Sequence, residues 1–186
     1  MRYQPVPVVL VCAAAIGAPG MVVTRAYAAD YLSVAEAQKA IFPDATAFEP
    51  VAVALSADQL KQLADRAGGQ PRAGAWRVWR AVQGGKPLGH VVTDAVIGKF
   101  ELINYAVGLN PTGEIVDVEI LTYRESHGYE VRNKPWRAQF TGKSARSALR
   151  IGEDINNISG ATLSCTHLTD GIRRIAVLAQ LALVPA

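Results

Sequence analysis

Ser159-Gly160-Ala161-Thr162-Leu163-Ser164 places three hydroxyls around two small residues, immediately ahead of a long apolar pattern of helical period. The N-terminus of a helix carries unpaired N–H groups and a partial positive charge, so it suits a phosphate. Gly160 and Ala161 let a backbone approach an anion closely, and Ser159, Thr162 and Ser164 add hydroxyl groups. The same residues have a simpler use, with Ser159 or Thr162 serving as an N-cap. Spacing alone favours the cap, since capping residues occur at most helices.

A second group of chemically capable residues is Glu125-Ser126-His127-Gly128. Glu125 can accept from a ligand hydroxyl or ring N–H, or it can stabilise its own turn. His127 carries an imidazole whose unperturbed pKa is ~6.5, which allows proton transfer; the alternative is a solvated loop histidine. Cys165, three residues after Thr162, is either a redox partner or a small buried helix residue. His90 and His167 have no sequence partners and read as structural. Trp76, Trp79 and Trp136 can stack on a flat ring, but large aromatics more commonly fill cores.

These groups need elements to position them. Ser33 with Glu36 forms a capping-box pattern ahead of a helix over 34–41, which Phe42-Pro43-Asp44 ends. A strand follows around 49–54, then a helix over 56–66, capped by Ser56 and ended by Gly68-Gly69. The middle reads as antiparallel strands over 76–82, 89–97, 100–109 and 115–122, with a hairpin turn at Asn110 to Glu114. In the last strand Val116, Val118 and Ile120 alternate with Asp117 and Glu119, the pattern of a half-buried strand with a solvated acidic edge. Residues 124–143 read as loop and 149–158 as irregular and polar. From about Leu163 to Leu183, the residues Leu168, Ile172, Ile175, Ala179 and Leu183 make one apolar helical stripe.

The composition supports an ordinary globular chain of 186 residues, half of them hydrophobic. Residues 1–28 read as a secretory signal. Arg2 supplies the positive start, Val8 to Ile16 the apolar run, and Ala26-Tyr27-Ala28 the small-residue cleavage site. The alternative is a retained anchor over Pro5 to Val23, close to the ~20 residues that span a bilayer, though Gly17, Pro19 and Gly20 interrupt it. Either reading puts the folded part outside the cytoplasm. Without Arg2 and Arg25 the net charge falls from +3 to +1, too little to draw nucleic acid. Cys12 lies in the leader, leaving Cys165 with no internal disulfide partner. The absence of CxxC and His/Cys clusters argues against haem, zinc and iron–sulfur centres.

The segment Ser159 to Ser164, arriving after Asp154-Ile155-Asn156-Asn157-Ile158, resembles the flavinylation motif of the FMN-binding domain family. Glu125 to Gly128 resembles that family's E-T/S-x-G turn. Trp136-Arg137-Ala138-Gln139-Phe140-Thr141-Gly142-Lys143 resembles its W-x-x-x-F-x-G-K stretch. The likeness spans roughly 89–179 with the order of motifs intact. The family includes the C subunit of sodium-pumping NADH:quinone oxidoreductase and the G subunit of Rnf complexes. The resemblance implies FMN as cofactor, esterified through its phosphate to Thr162 by a secreted flavin transferase. It implies Ser159, Gly160, Ala161, Leu163, Ser164, Glu125, Ser126, His127 and Gly128 as cofactor-binding residues. One position departs: the family's acidic residue three before the serine is Asn156 here.

The expectation is an α+β fold, an antiparallel sheet packed with helices, with the long C-terminal helix starting at the flavin phosphate site. The division expected is a signal peptide over 1–28, a helical and strand lead-in over 29–83 and the FMN-binding domain over 84–186. The function implied is an exported electron carrier served by membrane or periplasmic redox partners. Its rivals are an FMN-dependent sensory or structural module and a small secreted reductase. No Rossmann G-x-G-x-x-G or P-loop is present for a separate nucleotide.

Overall fold

The computed structural model describes residues 29–68, 76–125 and 127–184. The expected leader and Ser126 lie outside these. In chain order the elements are β1 (Ala29–Asp30), α1 (Val34–Ile41), β2 (Ala47–Val51), α2 (Ala57–Ala67), β3 (Arg77–Gln83) and β4 (Lys86–Ile97). They continue with β5 (Leu102–Leu109), β6 (Ile115–Tyr123), a 3-10 turn (Tyr129–Arg132), α3 (Lys134–Arg137), a second 3-10 turn (Ala138–Phe140) and α4 (Thr162–Ala182).

The strands form one antiparallel sheet in the order β1-β6-β5-β4-β3-β2. From β2 to β6 each strand pairs with its sequence neighbours, a meander, and β1 alone joins across it by pairing with β6. β2 and β3 are therefore part of the same sheet as β4 to β6. The expected boundary at 83/84 falls in the tight β3–β4 turn, where Val82 faces Pro87 and Gln83 faces Lys86 in the hairpin register.

Alternation along the strands sends side chains to two faces. One face carries Val92, Val96, Tyr105, Val107, Val118 and Ile120 and is covered by α2 and α4 in the larger core. The other carries Ala81, Val91, Ala106 and Leu121 and is covered by α1 through Ala37 and Ile41. α4 lies close on the larger face: a Cβ on Gly171 would stand 2.1 Å from the Tyr105 hydroxyl. The stripe Leu168, Ile172, Ile175 and Ala179 is buried, and Leu183 packs at the margin of the same core.

Three local expectations change. Phe100 belongs to the β4–β5 turn, and β5 starts at Leu102. The stretch 124–143 holds two 3-10 turns and α3 where loop was expected. The acidic side of β6 is only partly solvated: Arg137, itself buried, places its guanidinium 2.8 Å from Glu119 and 3.8 Å from Asp117. Strand alternation reported which side chains were polar, and a cation distant in sequence decided how far water reached them.

Candidate functional site

Three chain segments meet at one end of the sheet and line a groove of about 480 Å³. They are the β4–β5 turn with Lys99 and Phe100, the segment after β6 with Glu125 and His127, and the start of α4 from Gly160 to Ser164. Two of the three were legible as motifs. None of the tryptophans lines this groove.

The entry to α4 is built by short-range backbone geometry. Gly160 has φ +82°, a left-handed conformation that favours glycine. Ala161 N–H donates to the Ile158 carbonyl at 3.0 Å, and Cys165 N–H donates to the Ala161 carbonyl at 2.9 Å. The residue at the N-cap position is Ala161, and no side chain caps the helix. Neither Ser159 nor Thr162 takes the capping role. The N–H groups of Thr162, Leu163 and Ser164 thus lie ahead of the first intrahelical bond, at the positive end of a 21-residue helix.

The hydroxyls divide by exposure. Ser159 and Thr162 are exposed, and Thr162 Oγ1 accepts a hydrogen bond from Asn157 Nδ2 at 3.0 Å. Ser164 is buried and bonds the Tyr123 hydroxyl at 3.1 Å. Tyr123 gives its own proton to the His127 carbonyl at 2.5 Å, so Ser164 is the donor to Tyr123. Burial pushes the Tyr123 phenol above its ordinary pKa, which keeps that proton in place. Gly128 has φ +82°, and a Cβ there would stand 2.7 Å from Tyr123 Oη and 2.9 Å from Ala161 Cβ. Glycine is therefore required for the segment after β6 to seat against the start of α4.

Glu125 is a turn-stabilising acid. Its Oε1 accepts from Phe100 N–H at 2.5 Å and Glu101 N–H at 2.9 Å. Partial burial raises its pKa, but the backbone N–H groups of Glu101, Phe100 and Lys99 and the Lys99 ammonium outweigh burial, and the net shift is downward. Cys165 is fully buried, and burial pushes its thiol pKa up, so it packs as a small apolar residue.

The stretch Trp136 to Lys143 works from behind the groove. Trp136 Nε1 donates to the Asn156 carbonyl at 2.8 Å, and Asn156 N–H donates to Gln139 Oε1 at 2.7 Å. Lys143 pairs with Asp154 at 3.2 Å, and Asp154 accepts from the Leu149 and Arg150 N–H groups. Trp136 stacks edge-on against Phe140 with ring centroids 5.2 Å apart. The stretch holds the backbone that delivers Ser159 to Thr162. It also explains how Asn156 is placed, bonded on both sides of its peptide with its side chain exposed.

Comparison with known proteins agrees with this geometry. Residues 98–177 match the model of the FMN-binding domain, a stretch that starts at the β4–β5 turn and contains all three lining segments. No curated protein matches the chain. Among solved structures, "Crystal structure of Shewanella oneidensis NqrC" is similar at 16% identity, over 81% of this chain and 77% of that one, with a TM-score of 0.41. The residues present suit FMN. The N-terminus of α4 has no side-chain cap and no acidic residue in its first turn, and Gly160 has open space around it. Phosphate fits such an end, in keeping with the match of residues 98–177 to the FMN-binding domain and with FMN as the cofactor.

Proposed function

We propose that the chain is an exported electron carrier whose FMN is joined by a phosphoester to Thr162. The observation that carries this reading is the start of α4, uncapped and ahead of an exposed threonine hydroxyl. The N–H groups of Thr162, Leu163 and Ser164 would receive the phosphate, with Ser159 beside them. Asn157 fixes the lone pairs of Thr162 Oγ1 and leaves its proton free to depart. In attachment, the Thr162 Oγ–P bond forms as the P–O bond to AMP in FAD breaks; AMP leaves and the hydroxyl proton is released. A secreted flavin transferase would catalyse this step.

FMN, when bound, accepts and returns one or two electrons. The protein fixes the cofactor's phosphate, walls its ring and limits solvent. Tethering suits a carrier outside the cytoplasm, where a diffusible cofactor would be lost. The partners would be membrane or periplasmic redox proteins. Among the described residues no helix is long and apolar enough to cross a membrane. A second reading, tight FMN without the ester, is favoured by one observation: Asn156 stands where the family carries an acid.

The test is co-expression with a flavin transferase, followed by denaturation, in-gel flavin fluorescence and intact mass. The expected result is flavin fluorescence on the band and a mass gain, lost in Thr162→Val and kept in Thr166→Val. Flavin that is released on denaturation would select the second reading. No flavin in either form would overturn both, and intact mass also reports whether residues 1–28 are removed.

A further inference from the structure

Phe100 is the most exposed large hydrophobic residue of the described chain, at 75%, yet it sits on one of the most firmly held turns. Glu125 Oε1 accepts from the N–H groups of Phe100 and Glu101. His167, one turn into α4 beyond Ser164, has Nδ1 2.7 Å from the Ile97 carbonyl and 2.9 Å from that of Gly98. Gly98 leaves room for the carboxylate to seat against the turn: a Cβ there would stand 2.6 Å from Glu125 Oε1. Two separate elements thus pin this turn, and the aromatic ring it carries packs against none of the core. Lys99 holds its ammonium 4.9 Å from the centre of the Phe100 ring. Across the same groove Leu163 is 47% exposed.

Exposing an apolar aromatic on a rigid turn costs hydration energy and gains the fold nothing. A flat ligand that covers it recovers that cost. The groove runs from this turn to Thr162 at the start of α4, so a molecule held there by its phosphate meets Phe100 and Leu163 along the same cleft. We propose that the Lys99–Phe100 turn receives the isoalloxazine ring of FMN, with Phe100 and Leu163 as its apolar contacts and Lys99 as the cation that stabilises negative charge on the reduced ring. This rests on FMN being held at the start of α4, as proposed above. The alternative occupant of the patch is a redox partner, which would touch Phe100 only during electron transfer.

The experiment uses flavin-loaded full-length chain with Phe100→Ala, Lys99→Gln and Lys99→Arg. Both side chains are solvent-facing, so thermal unfolding of the unloaded chain should stay at the wild-type midpoint and serves as the folding control. Phe100→Ala should raise quenching of flavin fluorescence by iodide and weaken the visible circular dichroism of the flavin. For free FMN on unloaded protein it should weaken binding by about two- to tenfold, the range of one aromatic contact. Lys99→Gln should lower the flavin midpoint potential, and Lys99→Arg should restore it. Loaded protein whose quenching, dichroism and potential are unchanged by Phe100→Ala and Lys99→Gln overturns this inference alone. Unchanged flavin signals with slower reduction by a redox partner overturn it too and assign the patch to that partner. A wild-type chain that takes no flavin overturns the proposed function together with it.

Discussion

The described chain holds three helices of eight residues or more, and their N-termini are finished in two ways. α1 and α2 close theirs with reciprocal capping boxes. Ser33 Oγ accepts from Glu36 N–H at 3.2 Å while Glu36 accepts from Ser33 N–H at 2.7 Å; Ser56 and Gln59 do the same at 3.2 and 2.9 Å. α4 begins at Ala161 with no such bond. The magnitudes explain why the longest helix can go uncapped. A cap is worth about 1 kcal/mol, whereas each fully buried Leu or Ile contributes about 1.5–3 kcal/mol. α4 buries Leu168, Ile172, Ile175 and Leu178 completely. Its stability comes from the sheet, so its N–H groups stay available for a ligand. Short helices spend their first turn on themselves.

The contrast requires that something other than a cap hold the start of α4, and the test with the largest expected effect removes that brace. Trp136→Ala should destabilise the fold by about 3–5 kcal/mol, the range for a buried tryptophan, read by denaturant unfolding. It should also loosen flavin binding, because Asn156 loses its carbonyl partner. A smaller effect follows from Gly128→Ala, which puts a Cβ against Tyr123 and Ala161 at positive φ and should cost about 1–3 kcal/mol. The sharpest comparison is a pair of serines. Ser56→Ala should cost about 1 kcal/mol, and Ser159→Ala should leave stability within ~0.5 kcal/mol, as for a surface change, while weakening retention of free FMN. Equal stability losses in the two variants would erase the distinction between capped and open helices.

The smallest expected effect is on acid stability. Asp154 is raised by partial burial, but the Arg150 and Leu149 N–H groups and Lys143 outweigh this, so its folded pKa lies below the ordinary value. Glu36 is lowered by Ser33. For a depressed carboxyl the stabilisation is present above the unfolded pKa, ~3.9 for Asp and ~4.3 for Glu, and is lost as pH falls through the folded value. Stability should therefore decline below about pH 4, and Asp154→Asn should flatten the decline. The first turn of α4 contains no acid, so its own attraction for an anion has no carboxyl to titrate.

What could be read from sequence follows the range of the interaction involved. α1 and α2 were legible because the Ser33–Glu36 pair and the Ser56 cap act over three residues. The strands and the stripe on α4 were legible from period. Thr162 and the Glu125 segment were legible as motifs, although Glu125 stabilises its turn and Ser164 bonds inward to Tyr123. Phe100 misled because a strand pattern and an exposed aromatic turn look alike until Glu125, 25 residues on, pins the backbone. Arg137 neutralises Asp117 and Glu119 across about twenty residues, and no local pattern announces that pairing. Lys99 and Phe100 carried one local signal, their place between two strands.

The meander described above bears on timing. Each pairing from β2 to β6 joins sequence neighbours, so the ladder can close in the order of synthesis, and its larger apolar face stays wet until α4 arrives. The helix that seals this face is also the one that presents Thr162. A chain that has not finished burying its core cannot present Thr162 at the start of an ordered α4. Under the attachment proposed above, cofactor loading would select for completed molecules, using no residue beyond those that hold the flavin.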